Sequence, residues 1–246
     1  MRIDVITAFP AMVADALSYS IPGRAVKNGV LTISAVDLRN FAFDKHRTVD
    51  DAPYGGGGGM VLKAEPVFRC VEDLLGLPEI DSADHLKNHL PEGTEVILLS
   101  PQGSVFGQST AVAWSLKKRL IFLCGHYKGF DERIHEKLVT QTVSIGDFVC
   151  SGGEYPVLLM IDAIARLLPG ALGDAQSALS DSFQDDLLDG PNYTRPEDFR
   201  GMKVPDVLLK GNHKEIDDWR YQKKLESTES RRPDLLKKHF EEDKKR

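Results

Sequence analysis

Glu95-Val-Ile-Leu-Leu-Ser100 and Arg119-Leu-Ile-Phe-Leu-Cys124, two short apolar runs, decide the fold class. Runs of this kind are typical of strands that are buried on both faces, and such strands lie centrally in a parallel sheet. Residues 107–118 between them have the length of a crossover helix, which parallel neighbours require. The two runs therefore predict an α/β fold.

The flanking sequence extends this alternation of strands and helices. Strands are predicted at 3–9, at 30–38 and from Thr142, and helices from Pro10, over 65–75 and over 131–138. Ser151 and Glu154 have the spacing of a capping box that begins one more helix. The apolar stretch of that helix, 155–169, is shorter than the ~20 residues that span a bilayer. We expect a core helix and no membrane association.

Composition divides the chain into three parts. We expect an α/β domain over 1–170, a flexible linker rich in Gly, Ser and Asp over 171–190, and a small α-helical domain over 191–246. Two helices are predicted in this last domain, around 215–225 and 234–241. The last part holds 15 Lys and Arg against 12 Asp and Glu, although the whole chain has a net charge of −6. A polyanion should therefore bind the C-terminal part, unless the positive excess is only a solvated helical surface.

The remaining bulk features are those of an ordinary globular protein. The three cysteines, Cys70, Cys124 and Cys150, form neither a disulfide framework nor a zinc pattern, and the seven histidines form no close metal pair. We therefore predict no structural metal. The charged start of the chain resembles neither a secretory signal nor a transit peptide, so we expect a cytoplasmic protein.

Three glycine-bearing loops follow predicted strands: Ser100-Pro-Gln-Gly103, Cys124-Gly-His-Tyr-Lys-Gly129 and the segment from Ser144 to Gly153. In an open parallel sheet such loops converge at the carboxyl edge. Glycine lets backbone groups approach a flat ligand, and apolar side chains could sandwich it, namely those of Leu98, Leu99, Ile145 and Phe148. Ordinary tight turns explain the glycines equally well, since the sequence contains no dinucleotide fingerprint and no P-loop.

A glycine run and two charged residues also have ordinary structural explanations. The run Gly55–Gly59 is either a flexible loop or a loop that approaches a nucleotide closely. Arg166 lies four residues after Asp162, which is the spacing of an ion pair along a helix. Asp181 lies in the run Ser180–Asp189, which contains an apolar pair, and Asp or Ser before such a pair often caps a helix.

Several segments taken together are far more specific than any one of them. They occur in this order: Gly23-Arg-Ala-Val-Lys-Asn-Gly29, His46-Arg-Thr-Val-Asp-Asp51 with Pro53-Tyr-Gly-Gly-Gly57, Leu99-Ser-Pro-Gln-Gly103, Ser144-Ile-Gly-Asp-Phe-Val149 with Ser151-Gly-Gly-Glu154, Tyr193-Thr-Arg-Pro196 and Gly211-Asn-His213. Over nearly its whole length the chain closely resembles the bacterial tRNA (guanine-N1)-methyltransferase family.

The resemblance implies a SPOUT-class α/β domain with a trefoil knot near its C-terminal end, a helical tRNA-binding domain and a homodimer whose active site lies at the subunit interface. S-adenosylmethionine would bind in the knot loops. The implied contacts are Leu98, Leu99, Ser100, Pro101, Gly125, Tyr127, Ser144, Ile145, Gly146, Asp147, Phe148, Val149, Cys150, Gly152 and Gly153.

The implied substrate is the guanosine immediately 3′ of the anticodon, position 37, methylated at N1. Asp181 matches the family's proposed general base, and Arg166 matches the position of a guanidinium that stabilises charge on O6. Contacts to tRNA would come from His46, Asp50, Gly59, Asp189 and Arg195, with Arg231 and Arg232 as further phosphate contacts.

Two positions of the second glycine-bearing loop depart from the family pattern. Lys128 stands where many members have glutamate, and His126 where they often have arginine. A lysine neither accepts a hydrogen bond from the cofactor's ammonium nor ligates Mg²⁺, so any metal dependence implied by the resemblance is weakened. Two rivals stay open: another SPOUT enzyme that methylates ribose or a different base, and a non-catalytic RNA-binding module.

Overall fold

A computed structural model describes residues 1–80, 84–172 and 181–243 of the chain. The chain forms two compact units, Met1–Gly173 and Asp174–Arg246. Residues 173–180 of the predicted linker lie outside the described residues. Among the helices described, none combines the length and apolar character needed to cross a membrane.

The first unit is built on a parallel sheet of five strands in the order β2-β1-β6-β5-β7. The strands of this unit are β1 (Arg2–Thr7), β2 (Thr32–Asp37), β3 (Asp50–Asp51), β4 (Val61–Leu62), β5 (Thr94–Val105), β6 (Arg119–Cys124) and β7 (Gln141–Ser144). Strands β3 and β4 form a separate antiparallel ladder. The two opening runs lie in β5 and β6 inside the sheet, which confirms their predicted central position.

Six α-helices lie in the described part of this unit. They are α1 (Pro10–Leu17), α2 (Ser20–Lys27), α3 (Ala64–Leu75), α4 (Gln108–Ser115), α5 (Glu132–Lys137) and α6 (Glu154–Ala165). Pro10 opens α1 at a position where its missing N–H costs nothing, and Gly76 ends α3 with a left-handed φ of 66°. All the helices predicted in this unit are confirmed, with shifted ends, and α2 is an additional helix.

The sheet carries a hydrophobic core on each face. Helices α1, α2, α4 and α6 cover one face, where Trp114 and Phe122 are fully buried, and α3 and α5 cover the other, around Leu123. Burial of each such side chain stabilises the fold by ~1.5–3 kcal/mol. Because the strands are fixed from both sides, the loops at their carboxyl ends start from a rigid base.

Strand β5 contains the first glycine-bearing loop within its own span. Leu99 and Ser104 both pair with Val143 of β7, so residues 100–103 bulge out between them. A Cβ on Gly103 would lie 2.3 Å from the backbone nitrogen of Val143, closer than any side chain can approach. The prediction that this loop follows the strand was therefore wrong: the strand continues through the bulge because glycine permits close pairing with β7.

The second unit is mainly helical. Its elements are β8 (Asp198–Phe199), β9 (Met202–Lys203), α7 (His213–Arg231) and α8 (Pro233–Asp243). Asn212 caps α7, since its side chain exchanges hydrogen bonds with the backbone and the carboxylate of Glu215. Both predicted helices are confirmed, whereas the antiparallel β8–β9 ladder was not predicted and makes this unit less than purely α-helical.

Candidate functional site

Backbone contacts at glycine join the second and third glycine-bearing loops. The N–H of Gly153 donates to the carbonyl of Gly125 at 2.9 Å, and His126 forms a backbone bridge with Gly152. A Cβ on Gly153 would lie 2.7 Å from the Cα of Cys124. The expected convergence at the carboxyl edge of the sheet is thus confirmed for the second and third loops.

The path of the chain after β7 is unusual for an open sheet. Strand β7 pairs with β5, yet Gly152 and Gly153 contact the residues that follow β6, on the other side of β5. Residues 145–151 therefore cross the end of β5, next to the 100–103 bulge. This crossing places the third loop between the bulge in β5 and the loop that follows β6.

A buried carboxylate organises the centre of this region. Glu154 is 1 % exposed; its Oε1 accepts a hydrogen bond from the hydroxyl of Thr7, and its Oε2 lies 2.7 Å from Nε2 of His126. The His126 ring also packs on Phe9, with ring centroids 4.8 Å apart. Both carboxylate oxygens have partners, as a buried charge requires, so Glu154 fixes the second loop against β1 and α6.

The prediction of a capping box at the start of α6 was wrong. The helix begins at Glu154 after an N-cap at Gly153, with no side-chain cap hydrogen bond, and Ser151 lies outside it. The carboxylate of Glu154 is instead used by Thr7 and His126. The sequence predicted neither contact, because contacts between residues 28 and 147 positions apart leave no local pattern.

The third loop has a bent backbone and an open outer surface. Ser144 Oγ donates to the carbonyl of Gly146 and accepts from its N–H, and Gly146 has a φ of 139°. Ile145 is partly buried against the core, Phe148 and Val149 are exposed, Asp147 is exposed and Cys150 is half-buried. In the second loop, Tyr127 has a φ of 60°, a conformation that costs a non-glycine residue ~1–3 kcal/mol and is often found at ligand sites.

Leu98 and Leu99 do not form one wall of a sandwich, contrary to expectation. Successive residues of a strand point to opposite faces, and these two side chains belong to the cores on opposite sides of the sheet. Both leucines are buried, whereas in the bulge Ser100 is half-buried and Pro101 is exposed.

The glycine-rich run lies against the second loop. Lys128 N donates to the carbonyl of Met60, and a Cβ on Gly59 would lie 2.9 Å from Cγ of Lys128. Gly59 has a φ of 91°, Asp50 lies in β3 and His46 is exposed. The fold thus joins two motifs that are far apart in the sequence.

Burial makes Cys124 an unsuitable nucleophile. Desolvation, and next the negative charge of Glu154, raise the pKa of its thiol well above the ordinary value. Cys70 in α3 has a raised pKa mainly for the same reason, burial. The thiolate form that covalent catalysis needs is therefore suppressed at both positions.

Comparison with known proteins identifies the family. The profile of the family described as tRNA (Guanine-1)-methyltransferase TrmD matches residues 1–238. The chain is 50% identical over 239 residues to the tRNA (guanine-N(1)-)-methyltransferases of Staphylococcus aureus strains JH9 and Newman, covering 97% of this chain and 92% of each relative. The chain belongs to the tRNA (guanine-1)-methyltransferase family. Its convergent loops are thus those of a tRNA methyltransferase family member.

Arg166, which the family resemblance assigns to catalysis, follows directly after the end of α6. It is the C-cap residue of that helix, half-buried, and its N–H donates to the carbonyl of Asp162 at 3.3 Å. Glu154 and Arg166 therefore occupy opposite ends of one rigid helix.

Asp181 and Asp189 belong to the second unit and share one loop. The N–H of Asp189 donates to Oγ of Ser182 at 2.8 Å, which closes the loop next to Asp181. The Asp189 carboxylate accepts hydrogen bonds from Gly190 N and Asn192 Nδ2. Arg195 follows in an exposed segment.

Proposed function

We propose that this protein transfers the methyl group of S-adenosylmethionine to N1 of the guanosine immediately 3′ of the anticodon, position 37 of tRNA. The observation that carries the proposal is the 50% identity to curated tRNA (guanine-N1)-methyltransferases over 97% of the chain. The convergence of the second and third glycine-bearing loops at the carboxyl edge of the sheet supports it, because open parallel sheets bind their ligands at that edge.

The cofactor would occupy the region bounded by the three loops. Its adenosine would contact the backbone of residues 98–101, Gly125 and Tyr127, and the third loop from Ser144 to Gly153. The crossing of residues 145–151 over the end of β5 supports a trefoil knot, with the third loop threaded beside the bulge. S-adenosylmethionine supplies an electrophilic methyl group on a sulfonium, which becomes a neutral thioether after transfer.

The protein's own groups would deal with the proton and the charge of guanine. Guanine N1 carries a proton at neutral pH, so a base must accept it as the N1–C bond forms. Asp181 is the proposed base. As the proton leaves, negative charge develops on O6, and the fixed guanidinium of Arg166 would stabilise it more in the transition state than in the ground state.

Mg²⁺ does not fit the second loop. Lys128 places an exposed ammonium there, and a cation repels a divalent ion rather than ligating it. Lys128 thus weakens the case for Mg²⁺, and the proposed mechanism assigns no step to a metal.

A homodimer would complete the site. Tyr155 and Leu159 are four residues apart on α6, so they lie on one face of the helix, and each is 62 % exposed. Phe148 and Val149 of the third loop are exposed as well. Large exposed apolar side chains next to a proposed cofactor site are typical of a protein interface. A second copy of the chain would cover them.

The tRNA would be held by both units. The positive excess after Pro191 favours the phosphate backbone, with Arg195, Arg231 and Arg232 as contacts, and Asp189 would help to bind the substrate. His46, Asp50 and Gly59 would approach the target nucleotide. We expect the enzyme to act in the cytoplasm, together with its tRNA.

Replacement of the base tests the mechanism. Asp181→Asn keeps the size of the side chain but cannot accept the N1 proton, so single-turnover methyl transfer should fall by roughly 10²-fold or more, with nearly unchanged affinity for cofactor and tRNA. Asp217→Asn, at an exposed position of α7, is the matched control. Wild-type turnover in Asp181→Asn would remove Asp181 from this role.

A further inference from the structure

The loop that carries Asp181 and Asp189 is fastened to the helices of the second unit. Leu187 is fully buried, Asp185 accepts a hydrogen bond from Lys224 of α7 at 3.3 Å, and the carbonyl of Asp185 lies 2.7 Å from Nδ1 of His239 in α8. Gly190 packs on α7, where a Cβ would lie 3.4 Å from Cβ of Lys223. The loop therefore has a definite place on α7 and α8.

Thr228 makes the central contact between this loop and α7. It lies in α7, is 0 % exposed, and its Oγ1 accepts a hydrogen bond from the N–H of Leu188 at 2.9 Å. The same hydroxyl donates to the carbonyl of Lys224 at 2.7 Å, which directs its lone pairs away from the helix and towards the loop. One side chain thus satisfies a loop donor and a helix acceptor together.

A short relay connects this hydroxyl to the proposed base. Leu188 is followed by Asp189, whose N–H donates to Oγ of Ser182, and Ser182 is the neighbour of Asp181. Two hydrogen bonds, with only short stretches of covalent chain between them, therefore link Thr228 to Asp181. A displacement at Leu188 would be passed to Asp181 along this path.

We infer that Thr228 is a positioning residue for methyl transfer, which sets the place of the Asp181 loop on α7. The inference rests on the proposed role of Asp181 as base. The helices proposed to bind tRNA would then have a second role. Helix α7 would also hold the loop whose Asp181 accepts the proton. Small errors in the position of a reacting group cost rate rather than affinity, so the effect should appear in the chemical step.

Thr228→Val tests the inference, because valine has nearly the same shape and lacks the acceptor. Single-turnover methyl transfer at saturating cofactor and tRNA should fall by about 10- to 100-fold, with unchanged dissociation constants for both. Hydrogen exchange at the amides of 187–190 should become faster. Thr228→Ser, which keeps the hydroxyl, should restore both, and Ser230→Ala, which removes an exposed hydroxyl from the same helix, should behave as wild type.

The outcomes separate a positioning role of Thr228 from a role in tRNA binding or in folding. Wild-type rates in Thr228→Val would overturn the positioning role, as would a loss of tRNA affinity with an unchanged rate at saturation. Equal losses in Thr228→Val and Thr228→Ser would indicate a general folding defect and would also overturn it. Full turnover in Asp181→Asn would show that Asp181 is not the base. An inactive Asp181→Asn together with a fully active Thr228→Val would reject only the positioning role of Thr228.

Discussion

The imidazole of His126 lies 2.7 Å from the buried carboxylate of Glu154, and this contact fills the space beside Gly152. This contact joins the second loop to the start of α6. The hydroxyl of Thr7 donates a hydrogen bond to the other carboxylate oxygen. The side chains of Thr7 and His126 thus share one buried carboxylate.

Gly152→Ala should damage the cofactor pocket. The new Cβ would lie 2.3 Å from Nε2 of His126 and 2.4 Å from Oε2 of Glu154, so one of these groups must move. Overpacking of this kind costs ~1–3 kcal/mol, and we expect the affinity for S-adenosylmethionine, measured by calorimetry, to fall roughly tenfold or more. Gly107→Ala, where the Cβ would meet nothing within 4 Å, is the control. Equal affinities in the two variants would contradict the described packing.

Gly59→Ala should impair the use of tRNA. Gly59 has a φ of 91° and would place its Cβ 2.9 Å from Lys128, so alanine there is strained by both its backbone and its neighbour. The expected result is a KM for tRNA raised by about tenfold, since left-handed strain of ~1–2 kcal/mol must be relieved by moving the loop. The adjacent Gly58→Ala has neither problem and should stay close to wild type. A normal KM in Gly59→Ala would remove this loop from the tRNA site.

The three cysteines should differ in reactivity. Burial raises the pKa of Cys70 and Cys124, so both should resist iodoacetamide at mildly alkaline pH in the native protein, whereas half-buried Cys150 should react and be protected by S-adenosylmethionine. Mass spectrometry identifies the labelled residues, with the unfolded protein as the reference in which all three react. Native labelling of Cys124 would contradict the buried position beside Gly153.

The same two thiols should make the fold less stable in alkali. A raised pKa in the folded state means that the folded protein keeps the protons of Cys70 and Cys124, while unfolded thiols ionise at about pH 8.5. Their contribution to stability is complete below that pH and is lost above it, by about 1.4 kcal/mol per thiol for each pH unit. Denaturant unfolding from neutral to alkaline pH measures the slope, and a free energy of unfolding that rises with pH in this range would contradict it.

Arg166→Ala should slow chemistry more than binding. Loss of a charge stabiliser of this kind typically costs roughly 10²–10³-fold in kcat, while the KM for either substrate should change little. Arg166→Lys keeps the charge without the planar fork and should recover part of the rate. Single-turnover measurements decide the question, and an unchanged rate in Arg166→Ala would exclude the proposed contact with O6.

Local patterns in the sequence predicted the elements of the fold well. The apolar runs at 95–100 and 119–124 placed β5 and β6 inside the sheet, because continuous burial leaves a signature that needs no partner information. The amphipathic segments likewise predicted α3, α7 and α8. The bulge at 100–103 escaped prediction, since it depends on how β7 pairs with both sides of it.

The candidate site was predictable only in outline. Glycine positions indicated the three loops, and the convergence of those loops followed from the parallel sheet. The carboxylate of Glu154 was assigned to a local cap, because a pattern four residues long carries no information about Thr7 or His126. The contact between Gly59 and Lys128 was missed for the same reason. Roles for Asp181 and Arg166 came from the family resemblance and not from local chemistry.

Methyl transfer to matched transcripts tests the central claim most directly. Two tRNA transcripts that are identical except for G or A immediately 3′ of the anticodon are incubated with the enzyme and S-adenosylmethionine labelled in its methyl group, and the modified nucleoside is identified by mass spectrometry. We predict label only in the transcript with G, as N1-methylguanosine, and no transfer by Asp181→Asn. Label in the transcript with A, or on a ribose oxygen, would contradict the assignment.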